Sequence, residues 1–287
     1  MATVTRLRWC GGDSFEPVDN PGEVRVIDSW LVSDGRARAI DAHRQRFTAA
    51  CAELSRVEAG RFFLAALRQV PATGRWFPRA ELAVADGTWR LQVWLRPAPP
   101  AAASIRLWIP PQPDQRTCPR IKGPDLAYLS ALRDAAVAAG ADEAVLLSPD
   151  GTVREGTTTS ILWWRGETLC APPLSAALLP GVTRAVLVDA AAARNIPVRF
   201  EHATPAELAG LQVWAVNALH GIRPVTSWIA SGLAELGLLA VGVDGAAGGD
   251  GAGAAAGVYL GVEDGARHAG SYRLYQVFCP GGVVVVG

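Results

Sequence analysis

VREGTTTSILWWRGETLCAPPLSAALLPGVTRAVL, residues 153–187, is the stretch from which the fold is read. Three short β-prone runs (TVRE, TTSILWW and TLCAPP) are rich in β-branched and aromatic residues, and the last two are separated by a turn at Arg165-Gly166. Leu179-Pro180-Gly181-Val182-Thr183-Arg184 then opens a helix that runs to about Ala193, because proline and glycine set a helix entry and the following residues are helix-tolerant. Upstream lie a helix from about Asp125 to Ala139, a strand EAVLLS and a turn at Ser148-Pro149-Asp150-Gly151. Downstream come a strand VRFEH, a short helix PAELAG and a strand QVWAVNAL. This is an α+β domain, placed at residues 122–230.

A second α+β unit precedes it, at residues 1–109. Residues 24–40 (VRVIDSWLVSDGRARAI) predict two strands about Ser33-Asp34-Gly35, and AELAVADGTWRLQVWLRP alternates about Asp86-Gly87 before continuing into SIRLWIP. Residues 41–70 between them predict helix, with Phe47, Cys51, Leu54, Phe62, Phe63 and Leu67 apolar and a break near Gly60. PPQPDQRTCP, within a linker at residues 110–121, joins the two units. Beyond about Ala230 the chain turns to Gly/Ala low complexity, VGVDGAAGGDGAGAAAG, and residues 231–287 are expected to be an atypical tail outside the two folded units, unable to fill a core.

Composition narrows the class of function. Acidic and basic residues balance at 27 each, so no net field draws the chain to nucleic acid or an anionic membrane. A small-molecule substrate is expected instead. No apolar run approaches the roughly 20 residues of a spanning helix, and the N-terminal stretch is acidic, so a cytoplasmic protein is expected. Five widely spaced cysteines without a CxxC pair predict neither disulfides nor a metal site. Of the 27 cationic residues, 26 are arginine and Lys122 is the only lysine. A guanidinium stays protonated and cannot serve as an amine nucleophile, so any amine chemistry falls to Lys122.

Lys122, Glu155-Gly156-Thr157-Thr158-Thr159-Ser160, the Leu179–Arg184 stretch, and Asn217-Ala218-Leu219 followed by Pro224-Val225 occur in an order that resembles the class IV aminotransferases. The resemblance spans roughly residues 24–228 and is most similar to the aminodeoxychorismate lyases. It implies pyridoxal 5'-phosphate (PLP) fold type IV, two α+β domains with the cofactor between them, in a homodimer. Lys122 matches the lysine that carries PLP and shuttles protons, and Glu155 the carboxylate that keeps the pyridine nitrogen protonated. Val182 and Thr183 match the helix N-terminus that takes the phosphate. Arg46, in His43-Arg-Gln-Arg46, matches a second phosphate contact. Asn217 and Ala218 complete the implied cofactor set, and Arg96 falls where the family often places a substrate-carboxylate arginine, although PAPPAAAS replaces the glycine-rich sequence that commonly follows.

Transaminases of the class usually carry hydroxyl residues where this chain has Asn217-Ala218-Leu219, which favours elimination of pyruvate to 4-aminobenzoate, a folate precursor. The alternatives are a transaminase for branched-chain or D-amino acids, and a non-catalytic homologue that binds PLP or a metabolite. His220 is expected to be a structural residue at a strand end.

Overall fold

The computed structural model describes residues 5–230, 277–279 and 282–284. The expectation of an atypical tail therefore falls largely outside the described residues. Val277–Cys279 and Gly282–Val284 within it form an antiparallel pair.

The chain divides into two compact units, residues 1–101 with 116–127, and residues 102–115 with 128 onward. In the first, β1 (Thr5–Gly11), β2 (Ser14–Pro17), β3 (Glu23–Ser29), β7 (Arg79–Ala85) and β8 (Thr88–Leu95) form a sheet in the order β2-β1-β8-β7-β3. Three two-residue strands, β4 (Val32–Ser33), β5 (Arg36–Ala37) and β6 (Arg75–Trp76), form a separate small sheet. Both hairpin turns read from sequence are present, with Asp34-Gly35 and Asp86-Gly87 all at positive φ, the backbone that DG pairs favour. The strand expected to run into the first turn instead ends at Ser29, and β3 pairs with β7.

Helices α1 (Ile40–Leu54) and α2 (Ala59–Arg68) supply Phe47, Phe62 and Phe63 to a core shared with Trp30, Leu82 and Val93. The break between them, expected near Gly60, lies at residues 55–58, where Ser55 adopts extended backbone while its N–H still closes onto the Cys51 carbonyl. Buried phenylalanines of this kind are each worth about 2–3 kcal/mol relative to exposure, which is what holds so short a helix as α2 in place.

The second unit is an eight-stranded mixed sheet. Its strands are β9 (Ile105–Ile109), β10 (Glu143–Leu147), β11 (Val153–Gly156), β12 (Ser160–Arg165), β13 (Thr168–Ala171), β14 (Val198–Phe200), β15 (Val213–Asn217) and β16 (Gly221–Ala230). They lie in the order β11-β10-β9-β16-β15-β12-β13-β14. SIRLWIP, read from sequence as a continuation of the first unit, thus supplies β9 here, parallel to both β10 and β16. Ile105 and Leu107 are buried with Val145, Val153, Ile161 and Trp163, whereas Arg106 between them pairs with Asp142. Helix α3 (Leu126–Ala138) contributes Ala136 to a small cluster, α4 (Val182–Ala192) packs Leu187 and Ala191 beside Leu162 and Trp214, and α5 (Pro205–Leu208) is one capped turn.

Among the described residues, no helix is long and apolar enough to cross a membrane, and no group of three or more His, Cys, Asp or Glu side chains could hold a metal ion.

Candidate active site

The first unit holds Arg46, Lys122 and Arg96, and the first two depend on one strand. His43 and Arg46 lie three residues apart on α1 and so on one face, turned toward β3. The Asp28 carboxylate there accepts from Arg46 Nε at 2.8 Å and Nη2 at 3.0 Å, a two-pronged pair, and from His43 Nδ1 at 2.7 Å. Burial would push the Asp28 carboxyl up, but the Arg46 charge and the His43 bond overcome it and hold the group at about 2. Asp28 is therefore an acceptor, His43 Nδ1 a donor, and the Arg46 guanidinium is fixed in orientation. Nearby Cys51 is no nucleophile, since burial and the Asp28 charge push its thiol up to about 12.

The residue before Asp28 anchors Lys122: the Ile27 N–H donates to the Lys122 carbonyl at 2.6 Å. Gly123 follows with φ +153, and a Cβ there would stand 2.4 Å from the Arg25 carbonyl oxygen, so the chain crosses β3 at a distance that only glycine permits. Lys122 and Arg46 are thus held by adjacent residues of one strand.

Arg96 leaves β8 with Nε donating to the Phe77 carbonyl at 2.8 Å and its guanidinium 4.9 Å from the Trp94 ring centre. Arg6 and Arg79 flank the same ring at 4.8 and 4.4 Å, and both pair with buried Glu81. Burial, with repulsion from Arg79, pulls Arg96 down to about 10, against the pull of Glu81. It stays cationic at neutral pH in a place where three guanidiniums share one carboxylate, which suits it to an incoming anion.

The second unit holds Glu155, Val182, Thr183, Asn217 and Ala218. Glu155 is buried at the end of β11, where its Oε1 accepts the Leu179 N–H at 2.8 Å just before α4. No side chain caps the N-terminus of α4. Its N-cap, Gly181, is pressed against Ser160, so that a Cβ would lie 2.3 Å from the Ser160 Oγ. Arg184 is committed to structure: it donates to the Pro172 carbonyl at 2.7 Å, and burial lowers its pKa against the pull of Glu155. Thr157 Oγ1, two residues from Glu155, is buried without a hydrogen-bond partner.

At the end of β15, Asn217 Oδ1 accepts the His220 N–H at 2.8 Å and closes the turn that carries Ala218. His220 in turn accepts the Ala102 N–H at 3.3 Å on Nδ1, a strand-end role in keeping with its expected structural character.

Sequence reasoning missed Asp28 and the buried pair Glu143–Arg223. The signal for Asp28 was a carboxylate inside the apolar run VRVIDSW, since a charge in a strand core demands a buried cation.

These residues fit a cofactor with a phosphate and a basic ring nitrogen. An α4 N-terminus without a side-chain cap would suit phosphate oxygens, a buried carboxylate would suit a protonated nitrogen, and Thr157 keeps a buried hydroxyl without a partner two residues from Glu155.

Comparison with known proteins agrees. The fold is shared with the fold IV-transaminase CpuTA1 from Curtobacterium pusillum (20% identity, 79% of this chain and 92% of that one, TM-score 0.67). It is shared as well with a hypothetical aminotransferase from Mycobacterium tuberculosis in its PLP-bound form (20%, 78% and 90%, TM-score 0.66). In sequence, the chain is 28% identical over 85 residues to the aminodeoxychorismate lyase of Bacillus subtilis strain 168, a match spanning 29% of each protein. The family model for amino-transferase class IV matches residues 25–228, and the chain is accordingly a member of that family of PLP-dependent aminotransferases and lyases.

Proposed function

We propose that this chain is a lyase that releases pyruvate from 4-amino-4-deoxychorismate and leaves 4-aminobenzoate, a folate precursor. The observation that carries the reading is the Asn217-Ala218-Leu219 turn: its one polar side chain is spent on the His220 N–H, so it offers no hydroxyl of the kind transaminases of the class place there. The local identity to the Bacillus subtilis lyase supports it. A class IV transaminase acting on branched-chain or D-amino acids is the second reading, favoured by the two solved relatives described as aminotransferases. In either case we take the working form to be a cytoplasmic homodimer.

The roles we assign are those the family resemblance implies. Lys122 holds the cofactor as the chain's one lysine and moves a proton at the substrate carbon. Glu155 keeps the ring nitrogen protonated, the Val182 and Thr183 N–H groups and Arg46 hold the phosphate, and Asn217 and Ala218 border it. Arg96 pairs with a substrate carboxylate. PLP, when bound, supplies an electron sink for the bonds around the substrate nitrogen.

The test is incubation with 4-amino-4-deoxychorismate, and separately with amino acid and keto acid pairs. Formation of 4-aminobenzoate and pyruvate in equal amounts is expected. Pyridoxamine phosphate accumulating with ordinary amino acids, and no 4-aminobenzoate, would establish the transaminase instead.

A further inference from the structure

Glu143 has no role in the chemistry above, yet its buried carboxylate in the second unit is bonded on both oxygens. It opens β10, is buried, and accepts from three donors of one loop: Thr158 N at 2.6 Å and Thr159 Oγ1 at 2.9 Å on Oε1, and Thr158 Oγ1 at 2.9 Å on Oε2. Buried Arg223, on β16, stands 3.6 Å from Oε2 and balances the charge. Gly156 lies directly beneath: a Cβ there would be 2.4 Å from both Glu143 Oε1 and Thr159 Oγ1. Residues 156–159 are therefore wrapped around the Glu143 carboxylate, with Gly156 N bonded to the Thr159 carbonyl at 2.8 Å and Thr157 N to the Ala144 carbonyl at 3.1 Å.

The two ends of this loop reach the two cofactor handles of the unit. Glu155, one residue before it, carries the Leu179 N–H, and Ser160, one residue after it, abuts Gly181 at the start of α4. We propose that Glu143 is a positioning residue that sets the Glu155 carboxylate and the α4 N-terminus in register with each other, so that ring nitrogen and phosphate are answered at a fixed spacing. This rests on the PLP-binding roles assigned above. A charged acceptor is required because an amide of the same shape accepts on one side only, turns its own N–H groups toward a donor on the other, and leaves buried Arg223 with only Asp142 to offset its charge.

The test is Glu143→Gln in the full chain, read by amide hydrogen exchange of the cofactor-free protein and by PLP affinity. Exchange should rise at Thr158 and Gly156, and also at Leu179 and Ala185, the amides that report the Glu155 seat and the first closed turn of α4, while the β12–β15 ladder stays unchanged. PLP should bind about tenfold more weakly, the loss of one hydrogen bond to a charged group. Thr159→Val, which deletes a single hydroxyl donor and cannot strand Arg223, should move the same amides by less and serves if Glu143→Gln does not fold. Unchanged exchange at Leu179 and Ala185 in whichever variant folds would overturn the proposal, and so would a uniform rise across the unit, which marks a general structural role. Wild-type protein that fails to bind PLP would sink the functional reading, and the exchange pattern would still decide the role of Glu143 in the loop.

Discussion

Replacing Asp28 by asparagine tests whether the carboxylate under Arg46 is the electrostatic keystone of the first unit. The substitution keeps shape and removes charge. Because Asp28 is held at about 2 against an ordinary value of 3.8, linkage alone assigns it roughly 2 kcal/mol of stability at neutral pH. An amide also turns an N–H toward either Arg46 or His43, both donors, and that mismatch adds about 1 kcal/mol. The expected loss is about 3 kcal/mol, at the lower end for a buried pair deprived of one partner, since the Arg46 side chain keeps 14% of its surface exposed. The sign with pH follows from a depressed carboxyl: its stabilisation is fully present above about pH 4 and disappears as pH falls through about 2. Wild type and Asp28→Asn should therefore differ by about 3 kcal/mol at pH 7 in urea denaturation followed by circular dichroism, and by only about 1 kcal/mol near pH 2. A difference below about 1 kcal/mol at pH 7, or one that does not change with pH, refutes the reasoning.

Lys122→Ala and Lys122→Arg should both give protein that retains no PLP-derived mass after borohydride treatment, and a retained adduct would show that the amine lies elsewhere. Glu155→Gln should still bind PLP, its amide oxygen accepting the Leu179 N–H, but should react at least about tenfold more slowly in single turnovers, a loss of about 1.4 kcal/mol. Gly181→Ala forces a methyl against Ser160 Oγ and should destabilise by about 1–3 kcal/mol with weaker PLP binding. Adding Ser160→Ala should restore part of both, and a single variant that matches wild type would mean the contact relaxes freely.

What could be read in advance was whatever a short stretch determines for itself. Asp86-Gly87 suits a tight hairpin turn that needs positive φ at both positions, which both adopt, and Pro180-Gly181 opens a helix for reasons internal to the backbone. The assignment of Ile105–Ile109 was illegible for the opposite reason. Its alternation of Ile105 and Leu107 with Arg106 suits any half-buried strand, and only the positions of β10 and β16 decide which sheet it joins. The helix break expected near Gly60 falls at residues 55–58, and Gly60 itself lies within α2 because the packing of Phe62 and Phe63 outweighs the modest cost of a glycine there. The motifs picked out the residues proposed above to hold the cofactor but were silent on the residues that orient them. Asp28 and Glu143 are separated in sequence from what they orient, by 18 residues for Arg46 and 15 for Thr158.

The crossing at Lys122-Gly123 bears on how this chain can change over generations. The lysine is located by a main-chain bond from Ile27, and the glycine is demanded by the Arg25 carbonyl, so both constraints refer to peptide groups that every residue but proline possesses. Neither constraint places a demand on the side chains of residues 25 and 27, although Ile27 is buried and has to stay apolar for the sake of packing. The freedom ends one residue on, at Asp28, where a side chain takes over, and the strand is a palimpsest of tolerant and intolerant positions set by which part of each residue is used.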